Sequence, residues 1–447
     1  MAPNKSVLDG LLKSVLARGS LVFGWPSRID ERHNPQAVLK LCSILLSSRG
    51  EATGMALAEE ILSIWSLLDQ DERLEIMHAL LVDFGPDISL LEKTIADYHS
   101  NPTFENLSKL HMASEPRRQE LIRRLNLARN GVATLVDMRE QLQDFIKNHK
   151  ELTVVDADFL HLFSSWFNRG FLILRRIDWS TPANILEKII RYEAVHEIKD
   201  WKDLRQRLEP EDRRCYAFFH PQLPDEPLIF VEIALTEEIS ASISHLLADQ
   251  RELIPAGEAN TAVFYSISNC QAGLRGVSFG NFLIKQVVEE LQRDLPNLKT
   301  FVTLSPVPGL AAWLSDHGHP AEMGNTTRDR LMAGTLEYFF SGKKADGRHC
   351  DPVARFHLGN GARLERIVME ADRSERSMRQ SFGVMVNYLY KPDEIEANHE
   401  AYVQHGDVAA SRELQRLWQS ARSQNKLGAT GNRAGHIAGS THGQSSL

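Results

Sequence analysis

Between Asn34 and about Leu174 the chain has sparse Gly and Pro punctuation and repeats apolar residues every three or four positions. Beyond about residue 178 that spacing gives way to short runs of β-branched and aromatic residues bounded by proline. Nothing else in the sequence limits the fold so strongly, because a helical period and a strand period cannot be met by the same element. The first half therefore reads as helices. In "MALAEEILSIWSLL" (55–68), Leu57, Ile61, Ile64, Trp65 and Leu68 form one apolar stripe. "DERLEIMHALLVDF" (71–84) repeats the pattern and Gly85-Pro86 ends it. "GVATLVDMREQLQDFIKNH" and "DADFLHLFSSWFNRGFLIL" give two more helices, the latter with Asp156 or Asp158 as N-cap. No fixed repeat period occurs, so a bundle of roughly eight helices is expected rather than a solenoid.

The second half reads as mixed α/β. "RRCYAFFHP" (213–221), "PLIFVEIALT" (227–236) and "TAVFYSISNC" (261–270) are strands by composition and boundary. "FLIKQVVEELQRDL" is a helix, "LKTFVTLSP" (298–306) the next strand, "PGLAAWLSDHG" a short helix and "GVMVNYLY" (383–390) a late strand. Alternation of this kind predicts helices packed on a sheet. After about Ser423 the chain turns to Gly, Ser, Asn and His without periodicity, the composition of a disordered tail.

Composition removes several classes of function. Lys and Arg total 51 against 59 Asp and Glu, a net charge of −8 that argues against a nucleic-acid binder. The four cysteines, Cys42, Cys215, Cys270 and Cys350, form no C-x-x-C pair, so neither a zinc ribbon nor a disulfide framework is expected. No run of 18 apolar residues appears, and no membrane association is expected. The sequence ends Ser445-Ser446-Leu447 rather than Ser-Lys-Leu, and the expected location is the cytoplasm.

Between the strand at 261–270 and the helix that follows stand three glycines, in the order G-x-x-G-x-x-x-G over 273–280. The spacing is neither G-x-G-x-x-G nor a P-loop. A glycine-rich bend before a helix leaves free N–H groups at the positive end of the helix dipole, suited to a phosphate or pyrophosphate. The same bend also serves where a helix only packs on a strand.

Strand, glycine turn beginning at Gln271, helix, strand, helix and strand resemble the core of the GNAT acyl-CoA transferase superfamily. Three segments resemble the malonyl-CoA decarboxylase family more closely: "SNCQAGLRGVSFGNFLIKQVVEELQ", "TLSPVPGLAAWL" and "DPVARFHLGNGARLERI". The resemblance covers nearly the whole chain apart from its tail. It implies a multidomain α and α/β protein, an all-α helical bundle over 1–165 followed by a GNAT-like catalytic domain over 166–421; composition makes 422–447 a disordered tail, and more apolar stripes than one bundle core needs give 1–165 an expected role in assembly. Its coenzyme-binding turn falls on Arg275, Gly276, Val277, Ser278, Phe279, Gly280 and Asn281, its catalytic serine on Ser305 and its catalytic histidine on His357. Where the family usually reads R-I-N-W, this chain has Arg366-Ile367-Val368-Met369.

What the resemblance implies is decarboxylation of malonyl-CoA to acetyl-CoA and carbon dioxide through a thioester enolate; the surplus apolar stripes add the expectation of a homo-oligomer joined through its helical domain. The family assigns the serine as proton acceptor and the histidine as proton donor. The residues alone leave that division open, a serine hydroxyl being a poor base by itself. No metal or electron-sink cofactor is demanded, because the thioester takes the negative charge. His317 and His319 with Asp316 lack a third spaced ligand, and His349-Cys350-Asp351 resembles a triad only in letters. Two other functions fit the same core: transfer of an acyl group to an amine, and a non-catalytic coenzyme A sensor.

Overall fold

The computed structural model of the protein describes residues 34–47, 50–277, 283–318, 327–344 and 347–434. The chain divides into two compact units. The first holds Met1–Ile173 with two later insertions, Phe219–Glu226 and Gln271–Phe279. The second holds Leu174–Phe218, Pro227–Cys270 and Gly280–Leu447.

The first unit is helical, as the periodicity predicts. Its helices are α1 (Pro35–Ser47), α2 (Glu51–Leu67), α3 (Gln70–Val82), α4 (Ile88–Ser100), α5 (Phe104–Ser114), α6 (Arg117–Leu125), α7 (Gly131–Phe145) and α8 (Thr153–Trp166). The stripe read from 55–68 is buried, with Leu57, Ile61, Ile64, Trp65 and Leu68 all in the core. Asp69 caps α3 in a reciprocal capping box with Glu72. The expected cap of α8 is not observed. Asp156 and Asp158 lie inside the helix and bind arginines instead: Asp158 meets Arg118 at 2.5 Å and Asp156 meets Arg139 at 2.8 Å. That helix also stops at Trp166 rather than running to Leu174. Asn168 and Gly170 turn the chain through a short 3-10 helix, and strand β1 (Ile173–Ile177) follows.

The remaining elements are α9 (Ala183–Tyr192), α10 (Trp201–Leu208), β2 (Arg213–His220), β3 (Leu223–Thr236), α11 (Ile243–Leu246), β4 (Thr261–Asn269), α12 (Leu283–Asp294), β5 (Thr300–Thr303) and β6 (Ser305–Pro306). Then come α13 (Leu310–Asp316), α14 (Thr327–Ser341), α15 (Pro352–Gly359), β7 (Arg363–Val368), α16 (Glu375–Ser381), β8 (Met385–Leu389), α17 (Ile395–His405) and α18 (Arg412–Ala434). The strands form one mixed sheet in the order β1-β2-β3-β4-β5-β8-β6, with β7 also paired to β8. β3 and β4 are antiparallel, whereas β4 and β5 are parallel from Thr261↔Thr300 to Phe264↔Thr303. A parallel pair needs a crossover, and α12 supplies it.

The disordered tail expected over 422–447 is corrected in part. α18 runs through to Ala434, and residues 435–447 lie outside the described residues. Arg, Gln, Glu, Leu and Ala dominate 412–423 and propagate a helix once it has started. No helix among the described residues is long and apolar enough to cross a membrane.

Candidate active site

Ser305 and His357, 52 residues apart in sequence, meet in the second unit. Thr303 ends β5 and Ser305 opens β6, so one strand path carries both; residues two apart share a face. Ser305 pairs with Val386 of β8, which sets its height on the sheet. Pro306 follows and holds Ser305 extended. The next helix does not open at Pro308: α13 begins at Leu310 with Gly309 as its cap residue.

His357 is placed by α15. Asp351 caps that helix and Pro352 takes its first position; Asp351 Oδ1 accepts from the Val353 and Ala354 amides at 2.8 and 3.0 Å. Its other oxygen, Oδ2, accepts from the Tyr338 hydroxyl at 3.0 Å and from Gly309 N–H at 3.2 Å. The cap therefore also fixes α15 to α14 and to the approach to α13. Gly361 just beyond the helix end has φ 77°.

The pair sits in a closed hydrogen-bond chain. His357 Nε2 is 3.1 Å from Ser305 Oγ, and His357 Nδ1 is 2.8 Å from the Tyr390 hydroxyl. Ser305 Oγ donates to Thr303 Oγ1 at 2.8 Å, and Thr303 Oγ1 also accepts Tyr388 N–H at 3.1 Å. This network assigns the tautomer. With the serine proton given to Thr303, the serine oxygen accepts from Nε2–H, and the bare Nδ1 accepts from Tyr390. The Tyr388 ring stacks on the imidazole with centroids 4.5 Å apart. Ser305 and His357 are 5% and 3% exposed, and burial pushes the His357 pKa down to about 3. The resting imidazole is neutral, because a charged ring there would have no compensating partner. Burial also holds the Tyr390 phenol well above its ordinary value, so it stays a proton donor.

The glycine turn belongs to the first unit. Its first glycine serves packing: a Cβ on Gly273 would stand on the Val136 carbonyl oxygen of α7. Gly276 has φ 85°, a left-handed backbone that favours glycine. Arg139 of α7, 2% exposed, donates to the carbonyls of Gly273 at 2.7 Å and Arg275 at 2.9 Å while Asp156 holds its other face. Arg275, Gly276 and Val277 of the expected turn are thus placed; Ser278, Phe279, Gly280 and Asn281 lie outside the described residues.

Other candidates have structural duties. His349 accepts Asp351 N–H at Nδ1 and meets the Tyr338 carbonyl through Nε2, which leaves no free nitrogen. His317 stacks on Trp313 and binds its carbonyl, and His319 lies outside the described residues. Val368, at the departure from the family pattern, packs against a core cluster that includes Val302, Leu304 and Met385. Those positions alternate with Thr303, Ser305 and Val386, so Val368 serves the opposite face of the sheet. Thr303, Tyr388 and Tyr390 were not singled out from the sequence. The available signal was the i, i+2 spacing of Thr303 with Ser305 and of Tyr388 with Tyr390.

Fold and site together define a helical unit joined to a mixed α/β unit that buries a neutral histidine against a serine. The sequence profile for the malonyl-CoA decarboxylase C-terminal domain matches residues 170–328 and 315–428, and that for the N-terminal domain matches 84–167. The mitochondrial malonyl-CoA decarboxylase of Anser anser anser is 32% identical over 414 residues, covering 79% of this chain and 81% of that one. The crystal structure of malonyl-CoA decarboxylase from Rhodopseudomonas palustris is similar with a TM-score of 0.82 and 52% identity, covering 86% of this chain and 99% of that one. The corresponding structure from Agrobacterium vitis gives 0.81 and 53%, over 85% and 99%. This chain belongs to the malonyl-CoA decarboxylase family, a family of carboxy-lyases.

Proposed function

We propose that the protein converts malonyl-CoA to acetyl-CoA and carbon dioxide at Ser305 and His357. The observation that carries this reading is the buried Oγ–Nε2 contact at 3.1 Å, with the imidazole proton aimed at the serine. The bond to the carboxylate carbon breaks and its electron pair enters the thioester, giving an enolate. Ser305 hydrogen-bonds the departing carboxylate or the thioester oxygen. To do so the hydroxyl turns its proton from Thr303 to the substrate, and a donor in that place is worth about 100–1,000-fold in rate. His357 delivers its Nε2 proton to the enolate carbon, and the Tyr390 hydroxyl proton shifts towards Nδ1 as it does so. One solvent proton then restores the chain, which balances the loss of one carbon dioxide. A neutral imidazole suffices as donor because a thioester enolate is a strong base.

For the coenzyme end, we propose that the turn from Arg275 to Asn281 binds the pyrophosphate. The left-handed Gly276 and the Arg139 clamp support it, since both shape backbone rather than side chains. The deciding experiment is incubation of the purified protein with malonyl-CoA and no amine. Stoichiometric acetyl-CoA and carbon dioxide are expected. Acyl transfer only when an amine is added would replace decarboxylation by N-acylation, and binding without turnover would leave a sensor. Two further readings belong to the same proposal: a cytoplasmic location, and a homo-oligomer formed through the helical unit. Support for the second comes from α4 and α5, which bury only Thr94 and Ala113 between them.

A further inference from the structure

His78, near the end of α3, and His149 and Glu151, in the turn that leads into α8, converge within the first unit. Their ligand-capable atoms all lie within 4.8 Å of one another. Glu151 Oε1 is 3.0 Å from His78 Nε2 and 3.5 Å from His149 Nδ1. A tetrahedral ion with bonds of about 2.0–2.1 Å holds its ligands about 3.3 Å apart. The two measured separations bracket that edge. The imidazoles meet edge to face, with centroids 5.2 Å apart and planes at 82°. Two nitrogens and one carboxylate oxygen thus lie close enough to share one ion.

The support is rigid on both sides. His78 lies on α3 between the buried Met77 and Leu80. His149 N–H is held by the Phe145 carbonyl, and Leu152, fully buried, pins the 3-10 turn that carries Glu151. The three side chains themselves are roughly one-third to one-half exposed, so an ion can enter from solvent and keep a water as its fourth ligand. Two neutral imidazoles and one carboxylate leave a borderline dication only partly neutralised, a donor set that suits zinc rather than calcium or magnesium. No third residue of this kind was visible in sequence, because His78 and Glu151 are 73 positions apart.

We propose that His78, His149 and Glu151 form a zinc site that ties α3 to the start of α8. The site is separate from the decarboxylation residues, none of which is among its ligands. Its role is to hold two helices of one unit together, not to supply chemistry. The test uses the untagged full chain, stripped with chelator and titrated with zinc chloride. Wild-type protein is expected to take up one equivalent more than His78→Ala/His149→Ala. Loss of an outer-shell partner already costs about 10–100-fold in metal affinity, so Glu151→Gln should weaken that equivalent by at least about 10-fold. Zinc should raise the melting temperature of the wild type and leave that of the double variant unchanged. Cobalt gives an independent readout that needs no mutation, since tetrahedral coordination produces an intense visible band. Equal zinc uptake by wild type and double variant would overturn the proposal and leave a hydrogen-bonded histidine–carboxylate cluster. Absence of the cobalt band at one equivalent would do the same.

Discussion

Burial of His357 without a countercharge governs how this site responds to pH. The folded-state value of about 3 lies below the 6.5 of an exposed imidazole. Between those values the unfolded chain binds a proton that the folded chain refuses. The contribution to stability is therefore complete above about pH 6.5 and is lost as pH falls towards 3. His196, pushed down to about 4 chiefly by burial, acts with the same sign. In melting curves at pH 7 and pH 5, the wild type should lose more stability than His357→Gln; an equal loss would mean the ring is charged when folded. The kcat/KM profile should likewise lack a limb near 6.5. On turnover, Ser305→Ala and His357→Asn should each cost about 100-fold or more, with acetyl-CoA affinity little changed and the double variant little worse than the poorer single one. Near-normal turnover by His357→Asn would remove it from the chemistry. Tyr390→Phe leaves a buried Nδ1 without its partner, a loss of about 1–3 kcal/mol, and should slow turnover by roughly 10-fold. The two residues proposed to react were legible because each sits in a short family motif. Tyr390 and Thr303 were not, because their place depends on strand register that no local pattern records.

Elements explain why the glycine turn has the shape it has. Arg139 lies on α7, more than a hundred residues before the carbonyls it holds, so its link to the turn could not be read from spacing. Its charge is balanced by Asp156, and removing one partner of a buried pair typically costs about 3–5 kcal/mol. Arg139→Lys keeps the charge but loses the planar fork, whose Nη1 donates to both carbonyls while Nε and Nη2 hold Asp156. It should raise the dissociation constant for acetyl-CoA while kcat at saturation stays near normal. An unchanged constant in calorimetry, with the protein folded, would detach the clamp from coenzyme binding. Gly276→Val should act in the same direction through backbone strain alone. Helices were the most legible elements, since long stripes leave a strong period. β7 went unread because "RLERIV" pairs both sides with polar residues, and its role appears only when Arg363–Val368 is laid against β8. The continuation of α18 past residue 423 was unread for the opposite reason: its outer turns have no apolar stripe to show a period.

At the scale of the whole molecule, the change of hydrophobic period near residue 178 marks the passage between the two units to within a few residues of Ile173. What no linear boundary conveys is that Phe219–Glu226 and Gln271–Phe279 return to the helical unit. The helical unit also carries the apolar surface on which the proposed assembly rests. α4 and α5 pack as a hairpin, yet Ile88, Ile95, Phe104, Leu107 and Met112 stay exposed, Phe104 by 92%. Apolar side chains clustered in this way are costly to leave in water and commonly mark an interface. A stable symmetric contact buries about 800 Å² per partner, an area that two adjacent helices can supply. Phe104→Glu with Met112→Lys should therefore shift the protein towards a monomer in light scattering at micromolar concentration. These side chains are already in solvent within the protomer, so the melting temperature of the isolated fold should change little. A wild type that is monomeric under those conditions would defeat the idea outright. An oligomer that ignores both substitutions would place its interface on some other face.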